Sequence, residues 1–404
     1  MAVTKPILLD ETGKEMVKAM GKQNALLQIL ARDSMKTLAD DWSDVQKIVR
    51  GGYAADIFDI GDQFVEDWTD KTTGAEKKYE YPWQVNHFGK IELEDGEIID
   101  GMYIQAHYAH PFGVQFSQRA FLKCPDGLEA GTYYFTISGK WGENVLDGDI
   151  VSFTLTQNVP AGGRVAGCFR APDVAKSTWQ IYSYSADGKS VLETVTPVFE
   201  AAGNDLGTMK HNTRNGNLNS VQEMAYGWNR WKTSALRQYL NSAAAAGEWW
   251  TAQDDWDIAP DQLKTKPGFL TGVPAELLAV VKKSKIITYT NTVQDGGEAD
   301  ITYDLFFIPS LEEIHAQPQI KGEGDVHEYW KRASQSSEPL KQYGTYPQMR
   351  TFAVENHTSP QYIRLRSASR GSACGTWYVY TSGYVSAHYY AYWAIRCSPA
   401  CKIG

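Results

Sequence analysis

Hydrophobic spacing divides the chain into stretches of different character. Residues 10–50 are polar and free of Pro, and Val17, Met20, Asn24, Leu27, Ala31, Ser34 and Leu38 recur at alternating steps of three and four. That is the spacing of a heptad seam, in which Asn24 would favour one register at a cost in stability. Ala31 and Ser34 weaken the seam, so a plain amphipathic helix packed on the body is the competing reading. Gly51-Gly52 is placed to end the helix. Residues 71–204 change pattern: runs such as Gly101–His107, Gly131–Ile137 and Asp149–Thr156 alternate with Gly, Asp and Pro turns. Short, evenly spaced strands of this kind predict a β-sandwich. From 205 onward the two periods mix. A helix is predicted over Ala225–Ala245, core or interface aromatics at Trp249, Trp250 and Trp256, and a hairpin from Lys285–Thr292 and Asp300–Ile308. The remainder to 361 is irregular and polar.

The C-terminal stretch departs from every core pattern. Between Trp377 and Trp393 eight of seventeen residues are Tyr or Trp, and no Leu or Phe follows Arg366. Tyr set among Ser, Thr, Ala and Gly is the composition of an antibody-like paratope, where a rigid amphipathic ring gives contact at low rotamer cost. From Ser367 to Tyr392 there is also no Lys, Glu, Gln or Met, whereas the preceding 26 residues hold six of them. None of these four can be written with a codon ending in a pyrimidine. Tyr, Ser, Thr, Ala, Gly, His, Arg and Cys all can, and each is reachable from the Asn codon AAC by replacing its adenines. Trp is not, which makes Trp377 and Trp393 fixed positions in a changing stretch.

The fixed positions form a series: Arg364-Leu-Arg-Ser367, Trp377-x-Val379, Gly383-x-Val385, Ile395-Arg396 and Pro399-Ala400. This series resembles the C-type-lectin-like variable proteins diversified by phage and bacterial retroelements, in the branch common in gut phages. Trp231–Asn241 is similar to a helix of that family, Phe307–Ile314 to its strand-to-helix turn, and Phe58–Asp62 to its opening strand. The resemblance implies an α+β fold. A C-terminal C-type-lectin-like domain, related to formylglycine-generating enzymes, would span 51–70 and 205–404. An inserted β-sandwich would occupy 71–204, and an N-terminal helical oligomerisation segment 1–50. It also implies a ligand-binding face built from Ala368, Ser369, Arg370, Ser372, Ala373, Tyr378, Tyr380, Tyr384, Ser386, Ala387, His388, Tyr389, Ala391 and Tyr392. These should be mostly exposed, above buried Trp377, Val379, Val385 and Ile395.

Composition narrows the partners. At 404 residues the chain exceeds a single core, so two or three domains are expected. The net charge of −9 argues against nucleic acid, which needs a basic field. No apolar run reaches membrane-span length and the first residues lack a signal-peptide core, so membrane insertion and export by the general route are not expected. Five scattered Cys (Cys124, Cys168, Cys374, Cys397 and Cys401) do not make a disulfide framework.

Candidate chemistry is sparse. His107-x-x-His110, with His87, lacks a carboxylate or thiol at zinc-site spacing. Asp295-Gly-Gly-Glu298 and Asp147-Gly-Asp149 lack the alternating carboxylates of a calcium loop. The sugar-binding tripeptides of calcium-dependent lectins are absent, and so is a phosphate-binding G-x-x-x-x-G-K-[ST]. Cys397 and Cys401 bear on an oxidase reading, since oxidases of the same fold bind copper through paired cysteines; buried packing is the competing role. The expectation is a non-enzymatic virion protein, made in the host cytoplasm, that needs no metal or cofactor. It would recognise a bacterial cell-surface ligand, protein or glycan, at a tail-fibre tip or comparable surface. Its other partners would be virion proteins and two copies of itself in a homotrimer. The alternatives are a structural decoration or baseplate protein, a bacterial surface-display protein of the same fold and, last, the oxidase.

Overall fold

Strands from three distant parts of the chain form the central sheet, and this joins the two ends of the sequence. The computed structural model describes residues 41–404 except 73, 119–121, 125, 139–146, 162, 170–178, 185–189, 196–200, 202, 211–225, 254–256 and 340–351, together with 18, 19 and 21–23. In chain order the elements begin with α1 (Trp42–Arg50), α2 (Ala54–Ile57), β1 (Gln63–Asp70), β2 (Lys77–Glu92) and β3 (Ile98–Ala106). Seven short strands follow: β4 (Leu122–Cys124), β5 (Gly131–Ser138), β6 (Ile150–Leu155), β7 (Gly163–Phe169), β8 (Trp179–Tyr184), β9 (Ser190–Val195) and β10 (Asn204–Lys210). The last part holds α3 (Ala235–Leu240), α4 (Ala275–Val280), β11 (Ser284–Tyr289), β12 (Ala299–Asp304) and β13 (Phe306–Phe307). It ends with α5 (Glu328–Ser334), β14 (Ile363–Ala368), β15 (Gly375–Val379), β16 (Val385–Tyr390) and β17 (Ala400–Ile403). The architecture is mixed, mostly strands with a few short helices.

The central sheet runs β1-β2-β3-β17-β13, all neighbours antiparallel. Its strands are buried on both faces in the middle, which is why Tyr81–Asn86 reads as a continuous buried run. Tyr81, Trp83 and Val85 point into one core with Ile104, Tyr239, Phe269 and Phe306. On the other face Asn86 Nδ2 donates to Gln105 Oε1 (2.6 Å), Gln105 Nε2 donates to Ser398 Oγ (2.9 Å), and Trp330 Nε1 reaches Gln105 Oε1 (3.2 Å). These bonds satisfy amides that would otherwise be costly to bury. α1 buries Trp42, Val45, Ile48 and Val49 against the first core, and Gln46 Nε2 donates to the carbonyl of Gly404 (2.6 Å).

Several expectations change. The strand Gly101–His107, assigned to an insertion beginning at 71, lies in the central sheet, because β3 pairs with β2 on one side and β17 on the other. The strands peripheral to this sheet therefore start at β4. They end at β10, which pairs in parallel with β5, so the border expected at 205 falls inside that strand. Gly131–Ile137 and Asp149–Thr156 do form paired strands, β5 and β6, in the sheet β10-β5-β6 beside the sheet β4-β7-β8-β9. The opening strand expected at Phe58–Asp62 begins only at Gln63. Residues 59–62 form a turn in which Asp62 accepts the Asp59 N–H (2.8 Å) and Gly61 has φ 107°. The seam from Val17 to Leu38 falls almost entirely outside the described residues, while Gly51 and Gly52 do close α1, Gly52 at φ 76°. The helix expected over Ala225–Ala245 shrinks to α3. Ser234 Oγ caps it by accepting from Arg237 N (3.1 Å), and Asn241 ends it with bonds to Leu305 N and Phe306 O. Trp249 is buried, Trp250 packs on the core, and Trp256 lies outside the described residues. β11 and β12 pair as the predicted hairpin.

Candidate binding face

β14-β15-β16 form a separate three-stranded sheet over the second face of the central one. Trp377, Val379 and Val385 are at most 1% exposed and pack with Leu311, Ile314, Trp330, Ile363 and Leu365; Ile395 is also buried. These are the four residues expected beneath the face.

Opposite them lies a connected set of eight aromatic rings. Tyr362 sits 5.9, 4.8 and 5.0 Å from Tyr378, Tyr380 and Tyr389. Tyr378 is 4.5 Å from Tyr389, which meets Trp393 edge-on at 5.3 Å. Tyr392 is 5.8 Å from Trp393 and 6.3 Å from Tyr390, and Tyr390 stacks on Tyr226 at 4.0 Å. Edge-to-face and offset contacts of this kind stiffen such a cluster. Its exposed members are Tyr380 (38%), Tyr390 (37%) and Trp393 (46%).

The expected positions divide into groups. Tyr380 is exposed, and Ser369, Arg370, Ser372, Tyr384, Ala387, Tyr389 and Tyr392 are half-buried. Ala368, Ala373, Tyr378, Ser386 and Ala391 are buried, against expectation. The His388 side chain lies outside the described residues. Tyr378 is covered because strict alternation fails: Thr376 faces Tyr389 while Tyr378 faces Ser386, so β16 carries an extra residue. That bulge brings Tyr389 to the side of Tyr378. Burial raises the Tyr378 phenol above its ordinary range, with a bond to Ser386 opposing. Ala391 lies in the first core; its N–H donates to Cys374 O (2.9 Å) and its carbonyl accepts from Phe116 N (3.0 Å). Arg370 is turned inward, its guanidinium donating to the carbonyls of Thr290 and Gly297 (both 3.1 Å). Tyr226, Tyr362, Tyr390 and Trp393 join the face without having been expected there. Tyr390 could have been taken from the tyrosine run itself, whereas nothing local marks Tyr226.

The fixed motifs hold one another. Arg366 and Glu313 form a fully buried ion pair at 2.5 and 2.9 Å, and Arg366 also donates to the carbonyls of Ile308 and Glu323. Glu313 in turn accepts from Ser310 N (3.0 Å) while Ser310 Oγ accepts from Glu313 N (3.1 Å), a capping box on a turn that His315, at φ 59°, stops from extending. The Phe307–Ile314 stretch is thus a strand followed by a turn. Ser367 Oγ bridges Leu311 N and the Glu323 carboxylate. Arg364 is buried with no carboxylate paired to it among the described residues, and burial pulls its guanidinium down to about 9.

Elsewhere the candidate chemistry is structural. His110 is buried between the hydroxyls of Tyr81 (3.2 Å) and Tyr239 (2.9 Å), and burial holds its pKa well below the usual range. His107 bonds Gln84 and Gln63, and Asp295 accepts from Trp228 Nε1 (2.8 Å) and Asn291 (2.6 Å). Among the described residues no group of three or more His, Cys, Asp or Glu is placed to hold a metal ion, and no helix is long and apolar enough to cross a membrane.

Residues 208–403 match the profile of a family described as "Domain of unknown function (DUF6273)". The match runs from the end of β10 through β17, so it includes the aromatic face and omits β1, β2 and β3 of the central sheet. No curated protein and no solved structure matches the chain.

Proposed function

We propose that this chain is a recognition protein of a phage virion, carrying a C-type-lectin-like variable domain whose C-terminal face binds a bacterial cell-surface ligand. The observation that carries the reading is the eight-ring cluster on a sheet whose inward side is packed by Trp377, Val379 and Val385. Three of its rings are exposed, and the stretch from Ser367 to Tyr392 has a single Lys, Arg, Asp or Glu residue, Arg370, turned inward. Rigid, nearly uncharged, tyrosine-rich surfaces bind by contact area at low entropic cost. Several copies on one particle would add avidity to modest single-site affinity. A retroelement rewriting the exposed positions would change the target while the buried frame persisted. The oxidase alternative gains nothing from the geometry: Cys397 and Cys401 are buried, and burial pushes the Cys397 thiol to about 12 and Cys401 well above its usual value. Neither is a ready thiolate.

The test uses the fluorescently labelled chain on a panel of intestinal bacterial isolates. Wild-type protein should stain a subset. A variant with Tyr380, Tyr389, Tyr392 and Trp393 all changed to Ala should stain none of them while melting at nearly the same temperature. Undiminished staining by the folded variant would place recognition elsewhere. Sequencing around the gene adds a second check: diversification requires a near-identical DNA repeat, differing at adenines of AAC-type codons, beside a reverse-transcriptase gene.

A further inference from the structure

Side chains from outside the variable stretch reach its backbone in a consistent way. Asn229 is fully buried and donates through Nδ2 to the carbonyls of Ser369 (3.3 Å), Ser372 (2.8 Å) and Gly375 (2.7 Å). Its own N–H donates to Ala373 O (3.1 Å), and its Oδ1 accepts from Asn291 Nδ2 (2.9 Å). The bond from Asn291 fixes which end of the amide faces the loop. Arg364 donates to the carbonyls of Trp393 (2.6 Å) and Tyr390 (3.4 Å) and to Thr376 Oγ1, which itself donates to Tyr389 O (3.0 Å). Gln115 Nε2 donates to Tyr392 O (2.8 Å), beside the Phe116 N–H on Ala391 O and the Tyr392 N–H on Tyr226 O. Apart from Thr376, every one of these acceptors and donors within the stretch is a main-chain atom, which exists whatever residue occupies the position.

We infer that Asn229, Arg364 and Gln115 are positioning residues that hold the main chain of the binding face independently of the side chains it displays. The inference rests on the recognition reading for its use, though not for its geometry. It divides the expected positions by role. Tyr380, Tyr384, Tyr389 and Tyr392 set specificity and tolerate exchange. Ala368, Ala373, Tyr378, Ser386 and Ala391 are buried in the frame, Arg370 links the loop to the β11–β12 hairpin, and Ser372 Oγ accepts the N–H groups of Cys374 and Gly375. None of these seven is a specificity position.

Hydrogen exchange followed by mass spectrometry tests this. Asn229→Asp keeps the shape and removes the donors. Exchange at the amides of Ser369, Ser372 and Gly375 should accelerate by at least about tenfold, as for loss of one net hydrogen bond, while β2 and β3 keep wild-type protection. The display variant, with Tyr380, Tyr384, Tyr389 and Tyr392 all changed to Ala, should leave those amides protected while changing the near-ultraviolet circular dichroism and losing the staining of bacterial cells. If Asn229→Asp does not fold, Gln115→Ala carries the same test at the amides of Tyr392 and Trp393. Unchanged local exchange, or acceleration spread evenly through the central sheet, would overturn the inference, as would loss of loop protection in the display variant. Local acceleration in Asn229→Asp together with unchanged staining by the display variant would uphold the tethers and sink the recognition reading. Unchanged exchange in Asn229→Asp with staining lost in the display variant would do the reverse.

Discussion

Trp377 and Tyr380 lie three residues apart and have opposite duties. Trp377 is 1% exposed among Leu311, Ile314 and Trp330, so Trp377→Ala should cost about 3–5 kcal/mol, the range for emptying a buried aromatic site. Tyr380 is 38% exposed at the edge of the ring cluster, so Tyr380→Ala should stay within roughly 0.5 kcal/mol of wild type. Urea unfolding of both variants decides the matter, and equal losses would refute the division into frame and display. At this scale the sequence was informative where period two held: Trp377, Val379 and Val385 all point inward as read. It misled at Tyr378, because the extra residue in β16 changes phase without any Gly or Pro to announce it. The buried alanines misled for another reason. A codon pattern reports which positions can be rewritten and carries nothing about burial.

Among the elements, legibility followed sequence distance. β11 and β12 were readable as a hairpin because both halves and the turn are local, as were β5 and β6. The pairing of β3 with β17 joins residues almost three hundred positions apart and leaves no local mark, so β3 was assigned to the wrong layer. The overlong helix at 225–245 had a similar cause: Ala-rich composition outweighed Gly227, which the fold needs at φ 80°. A Cβ there would lie 2.5 Å from Ser117 O and 2.9 Å from Tyr392 N, both main-chain atoms that cannot swing aside. Gly227→Ala should therefore lose more than the roughly 1 kcal/mol of a left-handed alanine alone. It should also disturb Tyr390, whose ring stacks on Tyr226 beside this turn, and Tyr392, whose N–H donates to Tyr226 O and whose ring lies against Tyr390. Thermal unfolding together with near-ultraviolet circular dichroism tests this, and a variant with wild-type melting and aromatic signal would show that the close approach is not required.

For the whole molecule, the sheet that joins N-terminal and C-terminal strands also gathers buried titrating groups, and these set its response to acid. His327, at the start of α5, is 1% exposed, stacks on His87 of β2 (5.6 Å) and meets Tyr103 of β3 edge-on (5.2 Å). Lys402 of β17 lies over the Tyr103 ring at 4.9 Å, and Arg366 and Glu313 complete the surroundings. Burial is the largest influence on His327 and holds it at about 3; Glu313 opposes, while His87, Arg366 and Lys402 add to the lowering. His87 is lowered by burial as well, against Asp325, Glu313 and Glu328. The folded pKa of His327 thus lies below the unfolded value of 6.5, so the unfolded chain takes up the proton first. Its contribution is complete above pH 6.5 and is lost as pH falls toward 3. Glu323 acts in the other direction, since burial raises its pKa and its protonation on acidification favours the fold. A raised carboxyl acts between its reference value of 4.5 and its folded value, so Glu323 offsets part of the histidine's loss inside this window. His327 by itself should therefore remove about 2–3 kcal/mol from pH 6.5 to 4.5, close to 1.4 kcal/mol per unit for one proton. His327→Phe keeps an aromatic ring on His87 and removes this titration, so its unfolding free energy should fall by about 2–3 kcal/mol less than that of wild type over the same interval. Urea unfolding of both proteins at half-unit steps of pH gives the comparison, and an equal slope in the variant would mean that His327 is not the group lost to acid.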